Sequence, residues 1–138
     1  MKITKTDYAI SEKQFKERIK KILKIFEKYI PIYTFCPMTF GYGESGHPDR
    51  IVLIGGAFLG IEVKKDSNNS HCRPELKPKL NEVMQKKQAL KIKNAGGQWL
   101  CIHKDNLDTL IGELDYYADM KLFTKEDKKT LKELCLWQ

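Results

Sequence analysis

Two adjacent glycines, Gly55 and Gly56, constrain this chain more than any other feature. They sit between a short apolar run, Arg50–Ile54, and an alternating segment, 57–64. A glycine pair between two such runs makes a two-residue hairpin turn, because both central positions need positive φ. That turn fixes a register: Ile54 pairs with Ala57, Leu53 with Phe58, Val52 with Leu59, Ile51 with Gly60 and Arg50 with Ile61. Asp49 then falls opposite Glu62, and directly opposed side chains have Cβ atoms about 4.5–5.5 Å apart. Side chains alternate along a strand, so Lys64 joins Glu62 on one face while Leu59, Ile61 and Val63 take the other. A slip of one residue would turn Asp49 away.

Periodicity supplies the other elements. Residues 11–30 place Phe15, Ile19, Ile22, Leu23, Phe26 and Ile30 at spacings of three and four, the mark of a helix with one buried stripe. Ser11 and Gln14 suit a capping box, and Pro31 stops the helix. Lys16, Lys20, Lys24 and Lys28 form an outer row, either a solvated face or a track for phosphates. Residues 32–40 read as a strand, followed by a flexible loop holding Gly41, Gly43, Gly46 and Pro48. Residues 65–77 read as a mobile polar loop. Pro78 suits the first turn of a helix running to about Ala95, closed by Gly96-Gly97. Residues 98–103 make a further strand, and 105–120 and 124–136 two helices, with Thr124 as cap and Asp127 as first-turn acid of the last. The expected fold is a single α/β domain over 1–138: helix, three strands, helix and strand across 11–105, then a C-terminal helical extension.

The 138 residues suffice for one hydrophobic core, and 41% apolar with 31% charged residues excludes a disordered chain. No run reaches the ~18–20 apolar residues of a membrane span. The polar first residues carry no signal-peptide core, so a cytoplasmic location and no membrane partner are expected. Cys36, Cys72, Cys101 and Cys135 include no Cys-x-x-Cys pair, which favours free, mostly buried thiols over a zinc site. Lys and Arg exceed Asp and Glu by 25 to 18, a formal charge of +7 that suits a polyanion such as nucleic acid.

Two opposed carboxylates repel unless something compensates. A divalent cation does so, and Mg2+ takes carboxylate oxygens with water and phosphate completing its octahedron. Lys64, about 6–7 Å along the same face, is placed to orient water or to stabilise charge on a phosphate. Each residue also has a plainer reading: Asp49 as a turn residue after Pro48, Glu62 and Lys64 as the outer face of an edge strand.

Pro48-Asp49, with Glu62-Val63-Lys64 beginning thirteen residues after the Asp, resembles the PD-(D/E)XK nuclease superfamily. Gln85, Ala89, Ile92 and the closing Gly96-Gly97 before an apolar strand resemble its VRR-NUC branch, whose core has the element order read above. The resemblance implies a restriction-endonuclease-like fold and a metal-dependent endonuclease of DNA. It implies Asp49, Glu62, Lys64 and Gln85 as catalytic residues, and Mg2+ or Mn2+ held by Asp49, Glu62 and the Val63 carbonyl. Glu12, on the buried side of the first helix, is the expected outer metal contact. Gln88 rivals Gln85. His47, Arg50, Lys65, Arg73 and Lys86 are the expected DNA-backbone contacts. A stand-alone copy of this domain resembles those of phages and mobile elements, which act on branched DNA such as four-way junctions, usually as homodimers; the C-terminal helices would be the dimer surface. The alternative is a nucleic-acid-binding module that keeps the fold without catalysis, though such a binder has no need of the acid pair.

Overall fold

The computed structural model describes residues 12–38 and 43–136. Helix α1, Glu12–Glu27, buries Phe15, Ile19, Ile22, Leu23, Ile25 and Phe26. It stops short of Ile30, because the N–H groups of Tyr29 and Ile30 both turn back to the Phe26 carbonyl in a tightened last turn before Pro31. Its expected cap, Ser11, lies outside the described residues. Strand β1, Ile32–Phe35, is shorter than the expected 32–40; residues 36–38 have no regular structure, and 39–42 are outside the described set.

Strands β2, Arg50–Ile54, and β3, Ala57–Val63, form the hairpin in the expected register, Ile54 on Ala57 through Arg50 on Ile61. Gly55 and Gly56 have φ of 55° and 80°, the left-handed geometry that closes a two-residue turn. Strand β4, Gln98–Ile102, runs parallel to β3. Parallel neighbours need a crossover, and α2, Leu80–Asn94, provides it. Pro78 lies two residues ahead of α2 rather than in its first turn. The sheet order is β1-β2-β3-β4.

Helix α3, Leu107–Ala118, a 3-10 turn, Met120–Leu122, and α4, Lys125–Leu134, complete the chain. Leu110, Leu114 and Leu131 are at most 1% exposed and join α1 and the sheet residues Val52, Leu59, Ile61 and Ile102 in one core. The apolar stripes of the C-terminal helices thus enter the core of the domain, while Tyr116 and Leu122 remain exposed. Thr124 caps α4 by accepting from the Asp127 N–H at 3.1 Å, as expected. Among the described residues no helix is long and apolar enough to cross a membrane.

On the opposite sheet face α2 packs across Gly60 and Gly97. Gly60 and Gly97 admit Ile92 so closely that a Cβ at either would lie 3.2 and 2.9 Å from it. Residues 64–79, of which 65–77 were expected to be a mobile loop, have no helix or strand but are stitched to α2: Glu82 accepts from the Ser70 hydroxyl at 2.5 Å, and Lys86 donates to the Ser70 carbonyl at 3.1 Å.

Candidate active site

Asp49 is aimed by its neighbours on both sides. Before it, Gly46 has φ of +85° and lies so close to α2 that a Cβ would be 2.4 Å from the Met84 backbone. Pro48 lies flat over Gly60, whose Cβ would come within 2.7 Å of the proline ring. After it, the Asp49 Oδ2 accepts from the Val63 N–H at 2.7 Å. Asp49 therefore extends the hairpin beyond Arg50 and Ile61, and it does so beside Glu62.

The Glu62 side chain is 4% exposed, with the Lys64 ammonium 4.0 Å away. Its Oε2 has no hydrogen-bond partner. Burial, and then the negative charge of Asp49, push its pKa up to about 9. Lys64 is fixed by its own backbone, whose N–H donates to the Ile102 carbonyl at 3.0 Å and carries the β3–β4 pairing one step further.

A polar cleft of about 490 Å³ opens over this face. Of the residues singled out in the sequence, Glu12, Asp49, Glu62, Val63, Lys64, Lys65 and Gln85 line it. The Val63 side chain is in the core, so only its main chain faces the cleft. Gln85 is tied to the opposite wall: its Oε1 lies 2.8 Å from the His71 Nε2. Burial holds the His71 pKa below its ordinary value, so the ring is neutral near pH 7 and uses this nitrogen as donor. Gln88, the rival, points elsewhere and donates to Glu44 at 2.8 Å and to the Ser45 carbonyl at 3.2 Å, anchoring the glycine loop.

Glu12 lines the cleft but is not on a buried side of the helix: its side chain is 52% exposed and paired with Lys16 at 3.3 Å. Lys16 in turn reaches Asp49 Oδ1 at 3.5 Å. Partial burial opposes the Lys16 charge, but Asp49 and Glu12 outweigh it and raise its pKa. The exposed lysine row is therefore not uniform: Lys16 leans on the acid pair, and Lys28 pairs with Asp127 at 3.0 Å.

Four expected backbone contacts lie off the cleft. Arg50 pairs with Ile61, so the pleat turns it to the other face, where it donates to Thr34 at 3.1 Å. His47 is exposed in the loop. Arg73 is held within its own segment by Glu75 at 2.9 Å and Asn68 at 2.8 Å. Lys86 is occupied by Ser70. Sequence reasoning missed Lys79, Asn69 and Glu82 in the cleft wall. Only Glu82 left a trace, three residues before Gln85 and so on the same helix face. The hydroxyl of Ser70 keeps its carboxyl below the usual range.

Among the described residues no three His, Cys, Asp or Glu side chains gather closely enough to hold a metal between them. On this face stand the two carboxylates of Asp49 and Glu62, with the main chain of Val63 beside them. Of the cysteines, Cys36 is exposed and the other three are half-buried, so the expectation of mostly buried thiols does not hold.

The element order, helix, three strands, helix and strand around a four-stranded sheet, makes a mixed α/β fold, in the order expected from the sequence. No family model and no curated protein matches the chain. A solved structure described as a VRR_NUC domain is similar to it, with 21% sequence identity and a TM-score of 0.45, covering 69% of this chain and 95% of that one.

Proposed function

We propose that this domain is a divalent-metal-dependent nuclease that hydrolyses DNA phosphodiester bonds at the Asp49–Glu62 pair. The observation that carries the reading is the Glu62 carboxyl, buried against a second acid with Oε2 left unpartnered. An unsatisfied buried polar group costs about 1–3 kcal/mol, and a hard cation shared by the two acids removes that cost. An all-oxygen set of Asp49, Glu62 and the Val63 carbonyl fits Mg2+ or Mn2+. When bound, such an ion polarises a phosphate oxygen and lowers the pKa of water.

The chain's own residues supply the rest. Lys64 holds positive charge beside Glu62, where negative charge grows on the phosphate during displacement. With its oxygen facing His71, Gln85 has its amide NH2 left to orient water or a phosphate oxygen. Lys16 exchanges Asp49 for the DNA backbone once the acids are otherwise neutralised. Lys65 and Lys79 extend the positive wall and position the strand without reading its sequence. Glu12 acts through Lys16. Branched DNA such as a four-way junction is the substrate class we favour, and cutting both strands of it calls for two copies of the site.

Cleavage of linear, single-stranded and four-way-junction DNA, with Mg2+, Mn2+ or a chelator, tests this. Asp49→Ala and Lys64→Ala are each expected to slow cleavage by about 10²–10³-fold. No cleavage of any substrate, or cleavage that survives both substitutions, overturns the proposal. Binding without cleavage favours a non-catalytic module.

A further inference from the structure

Two of the four thiols meet beside the candidate site. The Sγ atoms of Cys72 and Cys101 are 4.0 Å apart, although the residues are 29 apart in sequence. Cys101 stands opposite Glu62 in the β3–β4 register, so the two side chains share a sheet face. Cys72 belongs to the segment 64–79 that forms the cleft wall. Its N–H donates to the Asn69 Oδ1 at 3.1 Å, while the residues before it are tied to α2, Ser70 by Glu82 and His71 by Gln85. Independent sets of bonds thus deliver the two sulfurs to one place. Cys36 is exposed beyond β1 and Cys135 follows α4, and neither is bonded to a second thiol among the described residues.

A disulfide needs its sulfurs about 2.05 Å apart, so one side must shift by roughly 2 Å. Strand β4 is locked in the sheet, whereas residues 65–79 have no regular backbone ladder to break. We propose that Cys72 and Cys101 form a reversible disulfide that clamps the 64–79 wall onto β4 beside Glu62. The oxidant is a peroxide. One thiolate attacks it, the O–O bond breaks, and a sulfenic acid and hydroxide result. The second sulfur then attacks the first, the S–O bond breaks, and water leaves with the second thiol's proton. Two thiols and one hydrogen peroxide give one disulfide and two waters, and a small thiol reverses the change.

The wall includes Lys65 and Asn69, which line the cleft, so the clamp sets how far the cleft opens. The proposal does not rest on nuclease activity. The full chain is treated with hydrogen peroxide, its remaining thiols are blocked, and its peptides are mapped. The expected result is a Cys72–Cys101 linked peptide that forms ahead of any link through Cys36 or Cys135 and disappears with dithiothreitol. Amide hydrogen exchange within 64–79 slows in the oxidised form. A Cys36→Ser, Cys135→Ser double variant keeps the link, and Cys72→Ser abolishes it. The proposal is overturned if each cysteine oxidises singly, if links run only through Cys36 between molecules, or if the link forms only in urea. The wild-type map decides even where a variant fails to fold, and it decides whether or not the protein cuts DNA.

Discussion

Replacing Glu62 with Gln isolates the electrostatic cost built into the acid pair. A carboxyl whose folded pKa lies above its unfolded value holds its proton more tightly when folded. The stability it confers is complete below the unfolded pKa and is lost as pH rises towards the folded one. For Glu62 that window runs from the ordinary carboxyl range, about 4.3, to about 9. Within it, each pH unit costs the wild type about 1.4 kcal/mol relative to a variant that cannot ionise. Glutamine keeps the shape of the protonated acid. Urea unfolding in chelator-buffered solution should therefore show the gap between Glu62→Gln and wild type widening by about 4 kcal/mol from pH 5 to pH 8. The Lys64 ammonium, 4.0 Å away, opposes the upward shift but is outweighed by burial and Asp49. Adding Mg2+ at pH 8 should restore the wild type and leave the variant unchanged, since only the ionised acid gains a ligand. Parallel stability curves across this range would refute the reasoning, because Glu62 would then be ionised at no cost.

Gly60→Ala drives a methyl to 2.7 Å from the ring of Pro48, and overpacking of this kind costs about 1–3 kcal/mol. Its signature is a lower unfolding midpoint together with weaker divalent-ion binding, since moving Pro48 also moves Asp49; unchanged ion affinity would separate the two. Asp127 accepts from the Tyr29 hydroxyl and the Lys28 ammonium, and these bonds hold its carboxyl below the usual range. Its stabilisation is present above the ordinary carboxylate pKa and is lost as pH falls through the folded value. Asp127→Asn should therefore lower the thermal midpoint at pH 7 and converge with wild type in acid, which melting curves from pH 7 down to pH 2 check.

The acid pair was legible because a two-residue turn admits one register, and Gly55-Gly56 announced the turn. That same register turns Arg50 away from Glu62, a consequence already contained in its pairing with Ile61. Gln85 and Gln88 lie three residues apart on one helix, and no periodicity distinguishes them. The choice depends on His71 and Glu44, which arrive from loops whose paths follow from side-chain bonds. Lys79, Asn69 and the Ser70–Glu82 bond were hidden for the same reason. The C-terminal helices looked like an appendage because their stripes are short; their partners, α1 and the far sheet face, are distant in sequence.

The bond from the Val63 N–H to Asp49 gives that carboxylate the part a carbonyl plays in a strand ladder. Zipping the hairpin to its end and assembling the acid pair are therefore one event, and a chain frayed at Arg50 loses both together. The Val63 amide is also a built-in gauge: its proton resonance should move whenever a proton or a cation reaches Asp49, with no nucleic acid in the tube.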